Sequence, residues 1–224
     1  MLIILLYYEK NKSKSMKKFI LFDNDGVLVE TEIWYFRANV KVLKELGVIL
    51  HEDVYLNLMA QGKTSWEIAR QNGISEETII NSRYKRDEYY QRYLKTENIE
   101  IQGVEEVLEE LKHNYKMAII TTSRRVDFNI IHDTRNIKNY MDFVLCVEDY
   151  KRAKPYPDPY LAGLKKFNAK KEETVVVEDS ERGLKSAVAA SLDCIIVKND
   201  FVKSHDFSQA KYKIESLDEL LKTL

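Results

Sequence analysis

Short apolar runs recur along the chain and predict the strands of a buried sheet. Five of these runs are rich in branched and aromatic residues, at 19–22, 117–120, 143–147, 174–177 and 194–197. Continuous apolarity, without polar alternation, is typical of parallel strands that are covered on both faces. Segments with helical periodicity alternate with the runs, at 104–111, 159–167, 183–190 and 217–224. The pattern predicts an α/β fold with a mainly parallel sheet.

A long helical stretch separates the first two predicted strands. Neighbouring parallel strands need a connection of about a dozen residues or more, whereas 90 residues lie between Asp25 and Lys116. The stretch contains no proline, and its apolar spacing predicts helices at 32–46, 52–60, 64–72 and 75–94. Ser75, which two glutamates follow, is typical of an N-cap for the last of these helices. We therefore expect a helical insertion that lies over the sheet.

The predicted elements divide the chain into three parts. They are an N-terminal tail at 1–15, a core at 16–31 and 98–224, and a helical cap at 32–97. The tail begins with an apolar run, Met1–Tyr8, that lysines follow, which is the reverse of the order in a signal peptide. The run is also shorter than the roughly 20 residues that cross a bilayer. Since Met16 begins a new strand pattern, the sequence leaves open whether the tail belongs to the native protein.

Composition and charge exclude several classes of protein. Of the 224 residues, 45% are hydrophobic and 32% are charged, which is ordinary for a globular protein and excludes wholesale disorder. The 35 lysines and arginines balance 36 aspartates and glutamates, so no net field attracts nucleic acid or an anionic membrane. Cys146 and Cys194 form neither a disulfide framework nor a metal-binding pair. We expect a cytoplasmic monomer without nucleic-acid or membrane partners, although the composition does not fix the oligomeric state.

The strongest chemical signal follows the first predicted strand. The run at 19–22 leads directly into Asp23-Asn-Asp25-Gly26, at the carboxyl end of the strand, where open α/β sheets bind their ligands. Side chains two positions apart in an extended chain project to the same side, so Asp23 and Asp25 can face one reacting centre. Gly26 allows a sharp turn after them. A strand that ends in a solvated Asp-Gly turn is the alternative interpretation.

A second acidic pair follows another predicted strand. The run at 174–177 leads into Glu178 and Asp179, so four carboxylates converge if both strands lie in one parallel sheet. Like charges raise each other's pKa, and a divalent cation with oxygen ligands offsets them. Magnesium is the usual ion where phosphate is also present. Because none of the four histidines has a zinc-binding spacing, the sequence predicts Mg²⁺ as the cofactor.

Together, these residues resemble the haloacid dehalogenase (HAD) superfamily, in its phosphatase and phosphomutase branch with a helical cap after the first strand. The resemblance covers residues 18 to about 224 and rests on four ordered motifs. The motifs are Asp23-x-Asp25-Gly-Val-Leu, a strand that ends in Thr121-Thr-Ser123, Lys154-Pro-Tyr-Pro-Asp-Pro159, and Glu178-Asp179-Ser-x-x-Gly183-x-x-Ser-Ala. The resemblance implies a Rossmann-like parallel sheet core with an inserted α-helical cap domain.

The resemblance also implies a role for each motif residue. Asp23 resembles the nucleophile that forms an aspartyl phosphate, and Asp25 the acid/base that protonates the leaving oxygen and then activates water. Thr121 resembles the hydroxyl that hydrogen-bonds the phosphoryl oxygens, and Lys154 the cation that offsets their charge. The implied ligands of Mg²⁺ are Asp23, the backbone carbonyl of Asp25, Asp179, and Glu178 directly or through water.

Substrate contacts are expected from two short segments. Thr122 and Ser123 follow the second core strand, close to the expected phosphate. Gly62 and Lys63 resemble the turn between cap helices that descends on the substrate in this family, and Lys63 is then expected to contact the far end of the substrate. A solvated loop lysine is the alternative interpretation of Lys63.

The type of reaction follows from two further comparisons with the superfamily. Its dehalogenases resemble one another in lacking the second aspartate of the first motif, whereas Asp25 is present here. Phosphomutases of the β-phosphoglucomutase type carry a histidine and an arginine where this chain has Tyr35 and Ser65. We therefore expect a phosphoric monoester hydrolase, a magnesium-dependent phosphatase that acts on a small phosphorylated metabolite. A sugar phosphomutase and a catalytically idle binding protein stay open as alternatives, and the sequence does not identify the substrate.

Overall fold

A single parallel sheet forms the centre of the molecule. The structure is a computed structural model that describes residues 17–224, so the predictions for the tail at 1–15 and for Met16 lie outside the described residues. The strands are β1 Phe19–Phe22, β2 Lys116–Ile120, β3 Phe143–Leu145, β4 Thr174–Glu178, β5 Asp193–Val197 and β6 Tyr212–Ile214. They are parallel and follow the order β3-β2-β1-β4-β5-β6. The predicted fold class is confirmed.

The carboxyl edge of this sheet gathers the residues that the sequence singled out. β1 lies between β2 and β4, with Phe19 opposite both Lys116 and Thr174. Because the strands are parallel, their carboxyl ends lie on one side of the sheet, where ligands bind in folds of this class. Asp23 follows β1 at this edge and Thr121 follows β2. The register thus brings residues that are far apart in sequence to one site.

Helices cover both faces of the sheet and fill the connection between β1 and β2. The helices are α1 Glu32–Glu45, α2 Glu52–Ala60, α3 Trp66–Gln71, α4 Glu76–Thr96, α5 Val104–Leu111, α6 Arg125–Ile131, α7 Asp158–Phe167, α8 Glu181–Ala189 and α9 Leu220–Thr223. Short 3₁₀ helices lie at Ile137–Tyr140, Val147–Asp149, Asp200–Val202 and Leu217–Glu219. The four helices predicted before residue 95 all occur. Ser75 caps α4, since its hydroxyl accepts a hydrogen bond from the Thr78 backbone N–H at 3.2 Å.

Two elements were missed and one differs from its prediction. β6 has only three residues, and Tyr212 and Lys213 are exposed at the edge of the sheet, so it lacks the apolar run that marks the other strands. α6 is a seven-residue helix, shorter than the window in which helical periodicity is evident. The helix predicted over 217–224 begins as a 3₁₀ turn before α9.

The sheet is apolar on both faces, which explains the continuous apolar runs. Ile20 and Phe22 of β1 pack into one cluster of buried residues, together with Met117 of β2. Leu21 packs on the opposite face with Ala118. Successive side chains of a strand point to opposite faces, so a strand covered on both sides needs an apolar residue at every position. This double burial fixes β1 and therefore the turn that follows it.

A third apolar cluster belongs mainly to helices α1–α4. Its largest members are Trp66 and Tyr55, and Val202 joins it from the 3₁₀ helix that follows β5. Tyr90 and Leu94 of α4 pack instead into the cluster on the sheet. Because these helices share contacts with the core, the domain boundaries at 31/32 and 97/98 stay a prediction. No helix among residues 17–224 combines the length and the apolarity that are needed to cross a membrane.

Candidate active site

Asp23 is the first residue after β1, and it lies almost buried at the sheet edge. Oδ1 accepts a hydrogen bond from Lys154 Nζ at 2.7 Å. Burial, with a further contribution from the charge of Glu178, raises the pKa of Asp23 to about 7, although Lys154 opposes this shift. The other oxygen, Oδ2, has no hydrogen-bond donor within residues 17–224 and is not shut off from solvent. This oxygen is therefore available to an incoming group.

Lys154 joins Asp23 to Glu178. Its Nζ donates to Glu178 Oε1 at 2.6 Å, and its side chain is only 1% exposed. Burial alone would lower the pKa of Lys154, but the charges of Asp23 and Glu178 outweigh burial and hold that pKa above its ordinary value. Both protein carboxylates thus hold one buried ammonium at a fixed position.

Glu178 is the last residue of β4, and protein donors surround it. Oε1 also accepts from the Tyr160 hydroxyl at 2.6 Å, and Oε2 accepts from the Ser180 hydroxyl at 3.1 Å. Burial acts to raise the pKa of Glu178, but Lys154 and these hydrogen bonds outweigh it, so the pKa lies below its ordinary value. Glu178 is therefore a carboxylate that the fold keeps charged.

Asp179 completes a cluster of three buried carboxylates. One oxygen from each of Asp23, Glu178 and Asp179 lies within 4.8 Å of the others. Asn199, just beyond β5, donates from Nδ2 to Asp179 Oδ2 at 2.9 Å. Burial and the charges of Glu178 and Asp23 raise the pKa of Asp179 well above its ordinary value.

This donor set fits a divalent cation. Carboxylate oxygens are the preferred ligands of Mg²⁺, and an ion at the cluster would offset the excess negative charge that the raised pKa of Asp179 reflects. Among residues 17–224, the cluster does not include the carboxylate of Asp25. The predicted ligand set stays a prediction, and the cluster of three carboxylates is the part of it that the structure brings together.

Asp25 has different partners from Asp23. Its carboxylate accepts hydrogen bonds from three hydroxyls, those of Thr31, Thr121 at 2.9 Å and Ser123 at 2.8 Å. Thr121 and Ser123 were expected to meet a phosphate, but here their hydroxyls hold the orientation of Asp25. The two aspartates of one turn thus differ: an ammonium holds Asp23, and neutral hydroxyls hold Asp25.

Gly26 makes the turn after Asp25 possible. Its φ of +81° lies in the left-handed region that glycine tolerates. A Cβ atom at this position would lie 1.9 Å from Asp179 Oδ2 and 2.7 Å from Asn199 Nδ2. The absent side chain is therefore what lets the first motif approach the acidic pair after β4.

A buried polar pair, Asn24 and His132, holds the same turn. Asn24 lies between the two aspartates, and its Oδ1 is 2.7 Å from His132 Nε2. Asn24 is 0% exposed and His132 is 1% exposed. Burial is the main cause that lowers the pKa of His132 to about 4, so this histidine is neutral at physiological pH.

The predicted substrate residues lie in different surroundings. Thr122 accepts a 3.4 Å hydrogen bond from Arg182 Nη2. Gly62 packs against the loop of the third motif, where a Cβ atom would lie 2.5 Å from Pro155 Cδ. Lys63 is exposed, and no hydrogen bond or ion pair of its side chain occurs within the described part of the chain. The turn at 62–63 thus reaches the loop that carries Lys154.

Several residues of the site were not found from the sequence. They are Thr31, Glu32, Tyr55, Tyr160, Arg182 and Asn199, together with the pair Asn24 and His132. Two of them had a usable signal: Arg182 lies within the fourth motif, and Asn199 follows a predicted strand at the carboxyl edge. Tyr160 and Tyr55 have none, because only the tertiary fold brings their hydroxyls to Glu178 and Glu32.

Comparison with known proteins decides the family. A family model described as haloacid dehalogenase-like hydrolase matches residues 20–197, which is well over half of the chain. This chain belongs to the haloacid dehalogenase-like hydrolases. The predicted family and the prediction of a hydrolase are thereby confirmed.

Relatives of this hydrolase include a protein that is named as a phosphatase. The chain is 28% identical over 178 residues to the phosphorylated carbohydrates phosphatase of Thermotoga maritima, and the match covers 79% of this chain and 82% of that protein. It is 29% identical over 188 residues to the chloroplastic protein SUPPRESSOR OF QUENCHING 1 of Arabidopsis thaliana, a match that covers 80% of this chain. The chain spans only 18% of the length of that plant protein.

A solved structure confirms the fold of the hydrolase. CbbY from Rhodobacter sphaeroides, crystallised as a variant in complex with xylulose-(1,5)bisphosphate, superposes with a TM-score of 0.78 at 23% identity. The superposition covers 92% of this chain and 96% of that chain. At this identity, the similarity supports the fold, and the Rossmann-like core is confirmed.

Gly26→Ala tests the close approach of the two acidic motifs. We expect Gly26→Ala to lower the melting temperature and the catalytic rate, because the new methyl group displaces Asp179 as well as straining the backbone. Gly47→Ala is the matched control: Gly47 has a φ of +74°, but nothing lies within 4 Å of its Cβ position. Each variant carries about 1–2 kcal/mol of backbone strain. Equal effects of the two substitutions on stability and rate would contradict this account of Gly26.

His132→Gln tests the buried histidine. In the wild type, the unfolded chain binds a proton on His132 below about pH 6.5, whereas the folded protein does so only near pH 4. Stability from this group is therefore complete above pH 6.5 and is lost as the pH falls, by about 2 kcal/mol between pH 7.5 and 5. Urea unfolding at both pH values should show that His132→Gln lacks this loss, while the exposed His113→Gln keeps it. Equal pH dependence in both variants would refute the assignment.

Proposed function

We propose that this hydrolase is a magnesium-dependent phosphatase that releases phosphate from a small phosphorylated metabolite through an aspartyl-phosphate intermediate. The observation that carries the proposal is the contrast between Asp23 and Asp25. Asp23 has one oxygen on Lys154 and one that is open to an incoming group, which suits a nucleophile. Asp25 has three hydroxyl donors that fix its orientation, which suits a group that exchanges protons with substrate and water.

The relatives support a phosphorylated sugar as the substrate class. The relative from Thermotoga maritima is named for phosphorylated carbohydrates, and the structural neighbour was crystallised with a sugar bisphosphate. A sugar phosphate or a similar phosphomonoester is therefore the substrate class that we propose.

The first chemical step forms a bond from Asp23 to phosphorus. As this bond forms, the bond from phosphorus to the leaving oxygen breaks, and Asp25 gives its proton to that oxygen. Lys154, 2.7 Å from Asp23 Oδ1, holds the carboxylate so that Oδ2 faces the phosphoryl group. The positive charge of Lys154 also offsets the charge on the phosphoryl oxygens.

The second step hydrolyses the aspartyl phosphate. Asp25, now a carboxylate, takes a proton from a water molecule whose oxygen attacks phosphorus. The bond between Asp23 and phosphorus breaks, and inorganic phosphate leaves. Thr121 and Ser123 keep Asp25 in one orientation for both proton transfers, and Thr122 and Ser123 flank the phosphate as substrate contacts in this proposal.

Mg²⁺ is the cofactor that we propose for the carboxylate cluster. Asp23, the backbone carbonyl of Asp25, Asp179, and Glu178 directly or through water would hold it. When bound, the ion offsets the negative charge of the phosphoryl group and the carboxylates. Asn199 orients Asp179 toward this site by the 2.9 Å hydrogen bond.

Helices at 32–97 serve as a cap in this proposal. The contact between Gly62 and Pro155 brings the turn at 62–63 onto the loop of Lys154, which supports Lys63 as a contact for the far end of the substrate. A cap excludes bulk water from the reacting groups. It also favours small metabolites over large polymers. The two buried, free cysteines support the cytoplasm as the compartment.

A phosphomutase is the less favoured alternative. Tyr35 and Ser65 stand where mutases of this type carry a histidine and an arginine. The Tyr35 hydroxyl accepts from Arg86 Nη1 at 2.5 Å, and the Ser65 hydroxyl donates to Asn39 Oδ1 at 2.8 Å. Because both groups are engaged inside the helical layer, neither offers the acid or the cation of a mutase.

Phosphate release tests the proposal directly. We expect phosphate from sugar phosphates, phosphoglycolate and p-nitrophenyl phosphate when Mg²⁺ is present, and none with a chelator. Asp23→Asn should lower the rate by about a thousandfold or more, because it removes the nucleophile. Asp53→Asn, at an exposed position of α2, is the matched control and should keep the wild-type rate.

Two outcomes would contradict the phosphatase. A folded protein that releases no phosphate from any of these compounds would refute it. Conversion of β-glucose 1-phosphate to glucose 6-phosphate without phosphate release would establish the mutase instead.

Asp25→Asn separates the two chemical steps. An aryl phosphate has a good leaving group that needs no proton, so the first step should proceed in this variant and the second should stall. We expect a burst of p-nitrophenolate equal to the enzyme concentration, followed by turnover slowed by roughly a hundredfold or more. With a sugar phosphate, the leaving oxygen needs the proton in the first step, so this variant should give no burst of free sugar. Wild-type turnover in Asp25→Asn would exclude Asp25 as the acid/base.

A further inference from the structure

Arg182 is a second cation of the site, and the proposed mechanism does not use it. It is the second residue of α8, within the fourth motif. The charges that act on it most strongly are those of Glu32 and Asp23. Glu32 is the first residue of α1, whereas Asp23 lies at the sheet edge. Its position is fixed by two contacts: Nη2 lies 3.4 Å from the Thr122 hydroxyl at the carboxyl edge of the sheet, and its helix is joined to α2 through Lys185.

The two cations of the site differ in what holds them. Lys154 is buried and bound to two carboxylates. For Arg182, no carboxylate oxygen lies within 4.0 Å among residues 17–224, and the one hydrogen bond of its guanidinium to these residues is the 3.4 Å contact with Thr122. A guanidinium has five N–H donors, so most of its donors have no protein acceptor in this part of the chain.

These free donors are also accessible. Arg182 is half-buried, yet none of its nitrogen atoms is among the polar atoms that lack both a partner and solvent contact within residues 17–224. Glu32 has a different partner, since its Oε1 accepts from the Tyr55 hydroxyl, and neither of its carboxylate oxygens lies within 4.0 Å of Arg182. The guanidinium thus keeps some contact with solvent.

The helices beside Arg182 are fixed to the core. Lys185, one turn along α8, donates to the Ala60 carbonyl of α2 at 3.4 Å, and His205 Nε2 lies 3.3 Å from the Leu56 carbonyl. Tyr55 of α2 is one of the groups that act on Arg182. Arg182 therefore lies where the carboxyl edge of the sheet meets the helices at 32–97, on the side where the remainder of a substrate would lie.

We infer that Arg182 binds a second anionic group, a phosphate or a carboxylate, that the substrate carries in addition to the phosphate being released. The inference rests on the proposed phosphatase function and narrows its substrate class. The carboxylates of Asp23 and Glu32, which act on Arg182, would repel such a group. A guanidinium binds oxyanions through two parallel hydrogen bonds, and Arg182 has the free donors for them.

Matched pairs of substrates test this inference. The pairs are fructose 1,6-bisphosphate with fructose 1-phosphate, ribulose 1,5-bisphosphate with ribulose 5-phosphate, and phosphoglycolate with glycolaldehyde phosphate. The measured quantity is the ratio of kcat/KM between the doubly and the singly anionic member. We expect a ratio of about ten or more in at least one pair, and a fall of roughly tenfold or more in Arg182→Gln. The fall should come mainly from KM. The bisphosphate and carboxylate pairs distinguish the two anions.

Two further variants complete the design. Arg182→Lys keeps the charge but loses the planar fork, so it should retain an intermediate ratio. Arg92→Gln makes the same chemical change at an exposed position of α4 and should keep the wild-type ratio. In an Asp23→Asn background, which stops turnover, Arg182→Gln should also weaken binding of the preferred doubly anionic compound in calorimetry.

Each other result overturns the inference. If Arg182→Gln lowers activity on both members of a pair alike, Arg182 serves as a counter-ion for Glu32 or contacts the phosphate being released. If the wild type releases phosphate but prefers no doubly anionic compound, the inference fails and the phosphatase stands. If it releases no phosphate from any compound and Arg182→Gln does not change binding, both proposals fail.

Discussion

The site depends on one buried ammonium, that of Lys154, which two carboxylates share. Lys154 lies 2.7 Å from Asp23 and 2.6 Å from Glu178, and these residues follow or end neighbouring strands of the sheet. A buried charge without a partner is strongly destabilising, typically by 3–5 kcal/mol when one partner is removed. The ends of β1 and β4 and the loop of the third motif are therefore tied together by electrostatics as well as by packing.

Sharing one cation among several acids gives each acid a different character. Glu178 accepts hydrogen bonds from Lys154, Tyr160 and Ser180, and its pKa lies below the ordinary value. Asp179 accepts a side-chain hydrogen bond from the Asn199 amide, and burial beside two other carboxylates raises its pKa. The fold thus holds more negative charge than its own cations offset, a state that suits a site for a divalent ion.

The fold and the convergence of Asp23 with Glu178 could be predicted from sequence, because both depend on features that are local in the chain, whereas the role of Lys154 came from the family resemblance. Continuous apolar runs mark strands that are buried on both faces, and Asp23 and Glu178 follow or end such runs. The hydrogen-bond partners of the site residues could not be predicted, because they depend on tertiary distances of a few ångström. Thr121 matches the motif for a phosphate-binding hydroxyl, yet its hydroxyl donates to Asp25. β6 was missed because its three residues include two exposed ones.

The two cations of the site differ in how many protein partners they have, and therefore in how freely they can bind a ligand. Lys154 is almost inaccessible and saturated by carboxylates, so it can fix Asp23 but offers little to the remainder of a substrate. Arg182 is half-buried with free donors, so it can select a ligand without disturbing that ion pair. The separation has a physical basis: a buried cation that holds Asp23 must keep its protein partners, whereas a cation that is to bind a ligand must lack them until the ligand arrives.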